Sequence, residues 1–396
     1  MKLIRRCKTL DLSKIPYVKQ LRELSAFFSP VIVILLHIYA CYMLTQYVKY
    51  SANILLRVQL VCLIILFFLQ MIHIRQKWVW LLLAANAAVI FCILRQSPLQ
   101  EFVRLYAVLI LVLILFRRMV IPRTVYLAMH LMTALFLTYF LGVAEARIFS
   151  DRAITELLKF FGEYYEVMGH IINANTIGIL ALACAMHWAC FFEMLHIPRG
   201  YRLLGQIAGM ILGFYYIFDS GCRSALVVFF VFLLLYLTVW KPLSPKVYQV
   251  FSLCILAAMA LFPIVYMKLW GYGKYVELWG APFFSGREVY WGPALEQIPE
   301  NWLLGNGMAE TSSMHHLLVE LTYRLGIVAA ISFVALCGCR EKRRGEYRTS
   351  RIAQISFLAC LLIAFLESFF TDRYLSFFFL SFLLSAVETE TTGNGS

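Results

Sequence analysis

The chain is 396 residues long, 62% hydrophobic and only 14% charged, with a formal net charge of +13. A soluble domain carries about 45–50% apolar and about 25% charged residues, so no part of this sequence reads as an independent soluble domain. The positive charge argues against nucleic acid by its placement, because the lysines and arginines occupy short connections between apolar runs, as in the cytoplasmic loops of membrane proteins.

Those runs are long enough for transmembrane helices, which take about 20 residues. In lipid a helix pairs every backbone N–H and C=O within its own segment. The short alternating segments of a β-barrel are absent. In chain order, twelve spans are expected at about 27–47, 54–74, 78–94, 102–116, 122–143, 175–195, 201–218, 221–240, 248–268, 314–338, 352–370 and 373–387. A polar, basic stretch of about 25 residues precedes the first run without a small-residue cleavage site after it, so no cleavable signal peptide is expected.

The charges fix the orientation of these spans. With the N-terminus in the cytoplasm, the inside segments carry most of the 35 lysines and arginines, from Lys2, Arg5 and Arg6 through Arg117 and Arg118 to Arg343, Arg344 and Arg351. Both termini are therefore expected in the cytoplasm. The chain forms one membrane domain over 1–396, with two long outside loops at about 144–174 and 269–313. Long loops in a compact protein are usually functional, which points the chemistry outward. The 11 cysteines are scattered, mostly inside apolar runs, and read as small apolar residues. Cys337 and Cys339 form a Cys-x-Cys beside a basic loop, but no zinc or disulfide spacing is present. A phosphate-binding GxxxxGK[ST], a GxSxG and an HExxH are all missing, so the expected chemistry uses neither nucleotide nor metal.

Three constellations could carry such chemistry. Asp219-Ser220-Gly221-Cys222-Arg223-Ser224 opens the eighth span at its outer end. Unpaired N–H groups and the positive end of the helix dipole make an anion site there. Arg223 adds a guanidinium fork suited to phosphate oxygens, or it snorkels to the interface with Asp219 as its partner. In the second long loop, Ser285 and Glu288 form a capping-box pattern. The pattern predicts a short helix anchored by Val289, Trp291, Leu295 and Ile298 and stopped near Pro299. Arg287 then lies in the first turn, where a cation opposes the dipole, and this is favourable only beside an anion; the alternative is a loop arginine paired with Glu288. The third is His315-His316 at the entry of the tenth span, with Glu320 and Arg324 following. His316, Glu320 and Arg324 share one helix face. An arginine within the bilayer costs about 2.5–3.5 kcal/mol and needs a partner or a wet cavity. Glu320 is the obvious partner, and the pair reads equally as structural glue. A histidine at the mouth of a polar cavity is a candidate general base. His170, just before Asn173 and Asn175, can reach the same cavity, whereas His37, His73, His130, His187 and His196 read as core or interface residues.

Four motifs in this order resemble the O-antigen ligase and polymerase family of bacterial envelope glycan enzymes. They are Asn173-Ala174-Asn175 at a span entry, Gly221-Cys222-Arg223-Ser224 at a helix start, Arg287 with Trp291 and the closing Gly305-Asn306-Gly307, and His315 with Gly326 eleven residues on. The match covers about 170–330. His316 departs from the asparagine that usually follows the family's histidine, and Met168 stands where many members carry an arginine. His170, Arg152 or Arg104 is the candidate replacement for that contact.

The resemblance implies an all-α, GT-C-like helical bundle in the bacterial cytoplasmic membrane, with its site facing the periplasm. It implies a metal-independent glycosyltransferase that needs no cofactor. The donor would be a glycan linked to a polyprenyl (undecaprenyl) pyrophosphate, and the acceptor a hydroxyl on lipid A–core or on another lipid-linked repeat unit. Arg223 and Arg287 would hold the pyrophosphate. His315, or its neighbour His316, would be the base, with Glu320, Arg324, Asn173, Asn175 and His170 in support. Two sizeable outside loops lean the reading towards a polymerase rather than a ligase. The competing class is a lipid-linked glycan flippase or transporter, which should show internal repeats and helices broken near mid-membrane; neither is visible in the sequence.

Overall fold

A computed structural model of the chain describes residues 16–45, 61–62, 64–65, 68, 77–96, 123–146, 164–167, 170–270, 277–278, 281–282, 287–306, 315–338, 350–367, 378–379 and 381–382. Among these residues helices dominate. The helix α1 (Pro16–Thr45) begins earlier than the first expected span, and α2 (Lys77–Gln96) and α3 (Arg123–Gly142) follow the third and fifth. Of the expected spans, 102–116 lies outside the described residues.

The centre of the bundle is a hairpin of α4 (Ala174–Met194) and α5 (Arg199–Asp219). Asn173 caps α4 by accepting a hydrogen bond from the Asn175 amide at 2.7 Å, which satisfies one of the open N–H groups of the first turn. Apolar residues surround α4 on all sides, and most of the helix is buried. The two helices approach closely because α5 presents Gly205, Gly209 and Gly213 to it. A Cβ there would stand 2.4 Å from Phe192, 2.3 Å from Trp188 and 2.5 Å from Ala185. Small residues every fourth position serve the same purpose between helices in lipid. The opposite face of α5 leaves Tyr201, Leu204, Ile211, Tyr215 and Phe218 exposed.

On its other side α4 meets α3. Trp188 Nε1 donates to Thr138 Oγ1 at 3.0 Å, and the Nδ1 atoms of His130 and His187 lie 2.8 Å apart. His187 Nε2 lies 2.9 Å from the Phe378 carbonyl, which can only accept. Its proton is therefore on Nε2, and His130 donates across the pair. These two histidines were expected as separate core residues; the fold makes them one hydrogen-bonded unit.

The helices α6 (Arg223–Thr238) and α11 (Arg351–Ala364) close the bundle. One end of the bundle is clamped by polar contacts. Glu193, near the end of α4, takes hydrogen bonds from Ser350 Oγ and, at 3.0 Å, from the Ile352 amide, and faces Arg351 Nε at 3.6 Å. Arg351 also donates to the Val239 carbonyl at 2.8 Å and sits 4.8 Å from the centroid of the Tyr236 ring. The clamp fixes three helices at one end, and their opposite ends carry Asn173, Arg223 and the segment after Ala364.

Three expectations are corrected here. First, the fold is nearly all helical as expected, but the two long loops also carry strands. The first long loop carries a three-stranded antiparallel sheet of β1 (Ala144–Ala146), β2 (Tyr164–Val167) and β3 (His170–Asn173). The second carries the short pair β4 (Glu277–Leu278) and β5 (Ala281–Pro282) after α7 (Pro245–Trp270). Second, the short loop helix α8 spans Glu288–Gln297, so Arg287 is its N-cap rather than a first-turn residue, and its cap has no side-chain hydrogen bond. Ser285 of the expected capping box lies outside the described residues. Of the expected anchors, Trp291 is fully buried, but Val289 is exposed.

Third, the tenth span is broken into α9 (Leu317–Leu325) and α10 (Ile327–Gly338) at Gly326. The chain following α8 fills the break. The Ile327 amide donates to the Trp302 carbonyl at 2.8 Å, and the Asn306 amide to the Tyr323 carbonyl at 2.6 Å. Gly326 has φ +80, and a Cβ on it would stand 2.0 Å from the Leu303 carbonyl oxygen. An L side chain fits neither the backbone angle nor the space. The eleventh span is also shorter than expected, since α11 stops at Ala364 and the chain turns through Phe365 and Leu366 to Glu367.

Among the described residues, three helices are long and apolar enough to cross a membrane: Arg123–Gly142, Ala174–Met194 and Pro245–Leu269. Shorter apolar helices, including α6, α10 and α11, pack around them.

The helix break gives a stability prediction. Gly326→Ala combines a left-handed backbone with an overlap against backbone, and such strain costs about 1–3 kcal/mol before any clash is counted. Thermal unfolding of the purified protein in detergent should show a markedly lower midpoint for Gly326→Ala. Gly200→Ala, whose added Cβ meets nothing within 4 Å, should leave it unchanged.

Candidate active site

At the end of the bundle opposite the Glu193 clamp, three chain segments bring ionisable groups into contact. Arg287 comes from the N-cap of α8, His315 from the residue before the α9 cap, and Glu367 from the turn after α11. The guanidinium Nη2 of Arg287 donates to Glu367 Oε1. The other carboxylate oxygen, Oε2, lies 3.0 Å from His315 Nδ1. The side chains of Arg287 and Glu367 are only 9% and 7% exposed, whereas that of His315 is 33% exposed. The buried, paired core is therefore exposed at the protein surface through the imidazole.

The positions follow from local structure. Trp291, one turn along α8 from Arg287, is packed edge-on against Phe262 and Tyr266 of α7 and against the His316 ring. This seats the α8 N-terminus against the start of α9. His316 is fully buried and caps α9, its Nδ1 accepting from the Val319 amide at 3.3 Å. Its ring also packs 5.3 Å from Phe365, which brings the turn before Glu367 alongside. His315 sits in the left-handed region at φ 49, alone in this among the described non-glycine residues. Histidine tolerates this region better than most side chains, but the surroundings must hold it there.

The sequence-expected residues divide accordingly. Arg287 and His315 meet as expected, but through Glu367, which was placed inside the eleventh span and given no role. The signal that could have found it was its position near a span end, since an ionisable residue at membrane depth is a functional candidate by default. Arg223 is the first residue of α6 and is partly buried. Its charge interacts repulsively with that of Arg287, and Cys222 beside it senses both Arg287 and Glu367. Gly178 of α4 packs against Cys222 and Ser220, which ties the α6 start to the same end. Glu320 and Arg324 form the expected pair, with Arg324 Nε 3.4 Å from Glu320 Oε1, both buried. They lie on the α9 face behind His316. His316, the expected alternative base, is the α9 cap and packs between Trp291 and Phe365. Asn173 serves as a helix cap, and Asn175 as the residue it caps. His170 pairs through its backbone with Val167 in the sheet, and its side chain lies outside the described residues, as do Met168, Arg152, Arg104, Ser285 and Gly307. Among the described residues no group of three or more metal-ligating side chains is assembled.

The fold and this end of it define a class: a nearly all-helical, apolar chain with helices fit to cross a membrane and a buried cation–carboxylate–imidazole cluster at one end of its bundle. Comparisons with family models, curated proteins and solved structures found no match to the chain.

Breaking a buried pair strands a charge in low dielectric, at a cost of about 3–5 kcal/mol, whereas replacing both partners with apolar groups is often near neutral. Arg287→Ala and Glu367→Ala should each lower stability by about that amount, and the double variant Arg287→Met/Glu367→Leu by much less. Chemical unfolding of the purified variants checks this. A loss in the double equal to the sum of the losses in the singles would show that the pair is not coupled.

Proposed function

We propose that the chain is a membrane glycosyltransferase of the O-antigen ligase and polymerase type. It moves a glycan from a polyprenyl pyrophosphate to a hydroxyl acceptor on the periplasmic side of a bacterial cytoplasmic membrane. In this reading the apolar helices belong to a bundle of twelve spans with both termini in the cytoplasm, as the distribution of lysine and arginine requires. The observation that carries the reading is the convergence of Arg287 and His315 on one carboxylate, with Arg223 at the neighbouring helix start.

The chemistry suits that set. The acceptor oxygen attacks the anomeric carbon, the bond from that carbon to the phosphate oxygen breaks, and its electron pair leaves on the diphosphate. The acceptor proton passes to the His315 imidazole. Diphosphate is a good leaving group and needs charge neutralisation more than a proton, which Arg223 and Arg287 supply at fixed positions. Two arginines held near each other despite their repulsion are arranged for a polyanion. The acceptor hydroxyl is a weak nucleophile, and a positioned base contributes about 100- to 10,000-fold. The sheet of β1, β2 and β3 sits directly before α4, at the same end as the site, where it can shape the acceptor side.

The break at Gly326, beside the buried Glu320–Arg324 pair, favours a second reading, a lipid-linked glycan flippase, because transporters bind substrate at interrupted helices. Vesicles carrying donor and acceptor only on the outer side separate the two: a transferase makes product there, and a flippase does not.

In variants that still insert, Arg223→Ala and Arg287→Ala should each reduce glycan transfer at least about 100-fold, the range for removing one donor from a developing oxyanion. Unaltered product in both variants would refute the assignment. Purified protein given a lipid-pyrophosphate repeat unit alone should build a ladder of lengthening products if it is a polymerase, whereas a ligase stays silent until lipid A–core is supplied.

A further inference from the structure

We infer that Glu367 is the positioning residue of this site: it fixes the tautomer of His315, leaves the basic lone pair on Nε2, and ties that base in register with Arg287. The inference rests on the transferase reading only for its consequence in turnover; the tautomer assignment stands on geometry alone.

An ionised carboxylate only accepts, so the contact of Glu367 Oε2 with His315 Nδ1 at 3.0 Å requires the proton on Nδ1. In a neutral imidazole the lone pair is then on Nε2, the far side of the ring from the carboxylate. His315 is the one member of the cluster with substantial exposure, so the basic nitrogen belongs to the group that a substrate can approach. When Nε2 takes up the acceptor proton, the imidazolium remains against a buried anion and is stabilised by it.

The second carboxylate oxygen does separate work. Oε1 holds Arg287 through Nη2, which carries two of the guanidinium's five N–H donors, and a fork of that geometry can hold a carboxylate and a phosphate together. The distance between leaving-group contact and base is thereby set through one rigid side chain. That side chain is anchored where the Glu367 amide donates to the Ile363 carbonyl at 2.9 Å. The Oε2 contact helps to hold His315 in its left-handed backbone conformation at φ 49. Among the described residues, charged and titratable groups around His315 include Arg287 and the Tyr290 ring from α8, Glu367 from the turn after α11, Arg223 through its interaction with Arg287, and the adjacent His316.

The decisive measurement needs no variant. Nitrogen-15 imidazole spectra of the purified wild-type protein, assigned by loss of one signal in His315→Asn, should show neutral His315 as the Nδ1–H tautomer. An Nε2–H tautomer overturns the inference. In Glu367→Gln, whose side-chain amide can donate as well as accept, the preference for the Nδ1–H tautomer should be lost. A tautomer unmoved by that change also overturns it, since a merely structural residue would leave the tautomer as it was. In turnover with a lipid-pyrophosphate glycan, Glu367→Gln should lose about 100-fold or more in kcat with a smaller change in donor KM, and Glu367→Asp should recover part of it. If the spectra behave as stated and no glycan is transferred by the wild-type protein, the transferase reading fails and the role of Glu367 stands. If transfer occurs and the tautomer is reversed, the opposite holds.

Discussion

The site depends on one buried ion pair. Arg287 and Glu367 are eighty positions apart and come from different elements, yet their contact brings the loop helix α8 onto the end of α11 and leaves a second carboxylate oxygen for His315. A pair so far from water contributes little net stability against an apolar alternative, because the desolvation of both ions offsets their attraction. Its value is in specification. With either partner missing, the other is a stranded charge, so the loop helix has a single low-energy seat.

The rest of the fold supplies rigidity around that seat. The Glu193–Arg351 cluster fastens α4, α6 and α11 at the far end, and the glycine ladder of α5 holds it tight against α4. With one end fixed, the other ends of the same helices are placed to within the tolerance of their packing, and those ends carry Arg223 and Glu367. The chain just after α8 is secured differently, by backbone hydrogen bonds at the break at Gly326, where the Trp302 carbonyl accepts from Ile327 and the Asn306 amide donates to Tyr323. Two sets of restraints, one side-chain and one backbone, therefore converge on a small volume.

Much of this was legible in the sequence, and for identifiable reasons. Runs of apolar residues announce helices whatever their partners, so α3 to α7 fall close to their expected bounds. Arg287 was singled out because a cation at a helix start needs an anion, and the anion proved to be a carboxylate of the chain itself. Glu367 was not legible as a partner, because hydropathy absorbs a single acid at the end of a long apolar run, and contact over such a sequence distance leaves no local pattern. The break at Gly326 was hidden for a related reason. A glycine inside an apolar stretch lowers hydropathy hardly at all, and only the close approach of Leu303 shows why no other residue serves there. The pairing of His130 with His187 was equally invisible, since each looks like a solitary core imidazole on its own helix.

The backbone of His315 has a practical bearing on how its chemistry can be probed. At φ 49, a branched or bulky replacement would change the path of the chain as well as remove the ring, so loss of function in such a variant confounds geometry with reactivity. Asparagine visits this region readily and brings no group able to take up a proton near neutral pH. It is the substitution that would delete the imidazole while leaving the main chain, and with it the entry to α9, undisturbed.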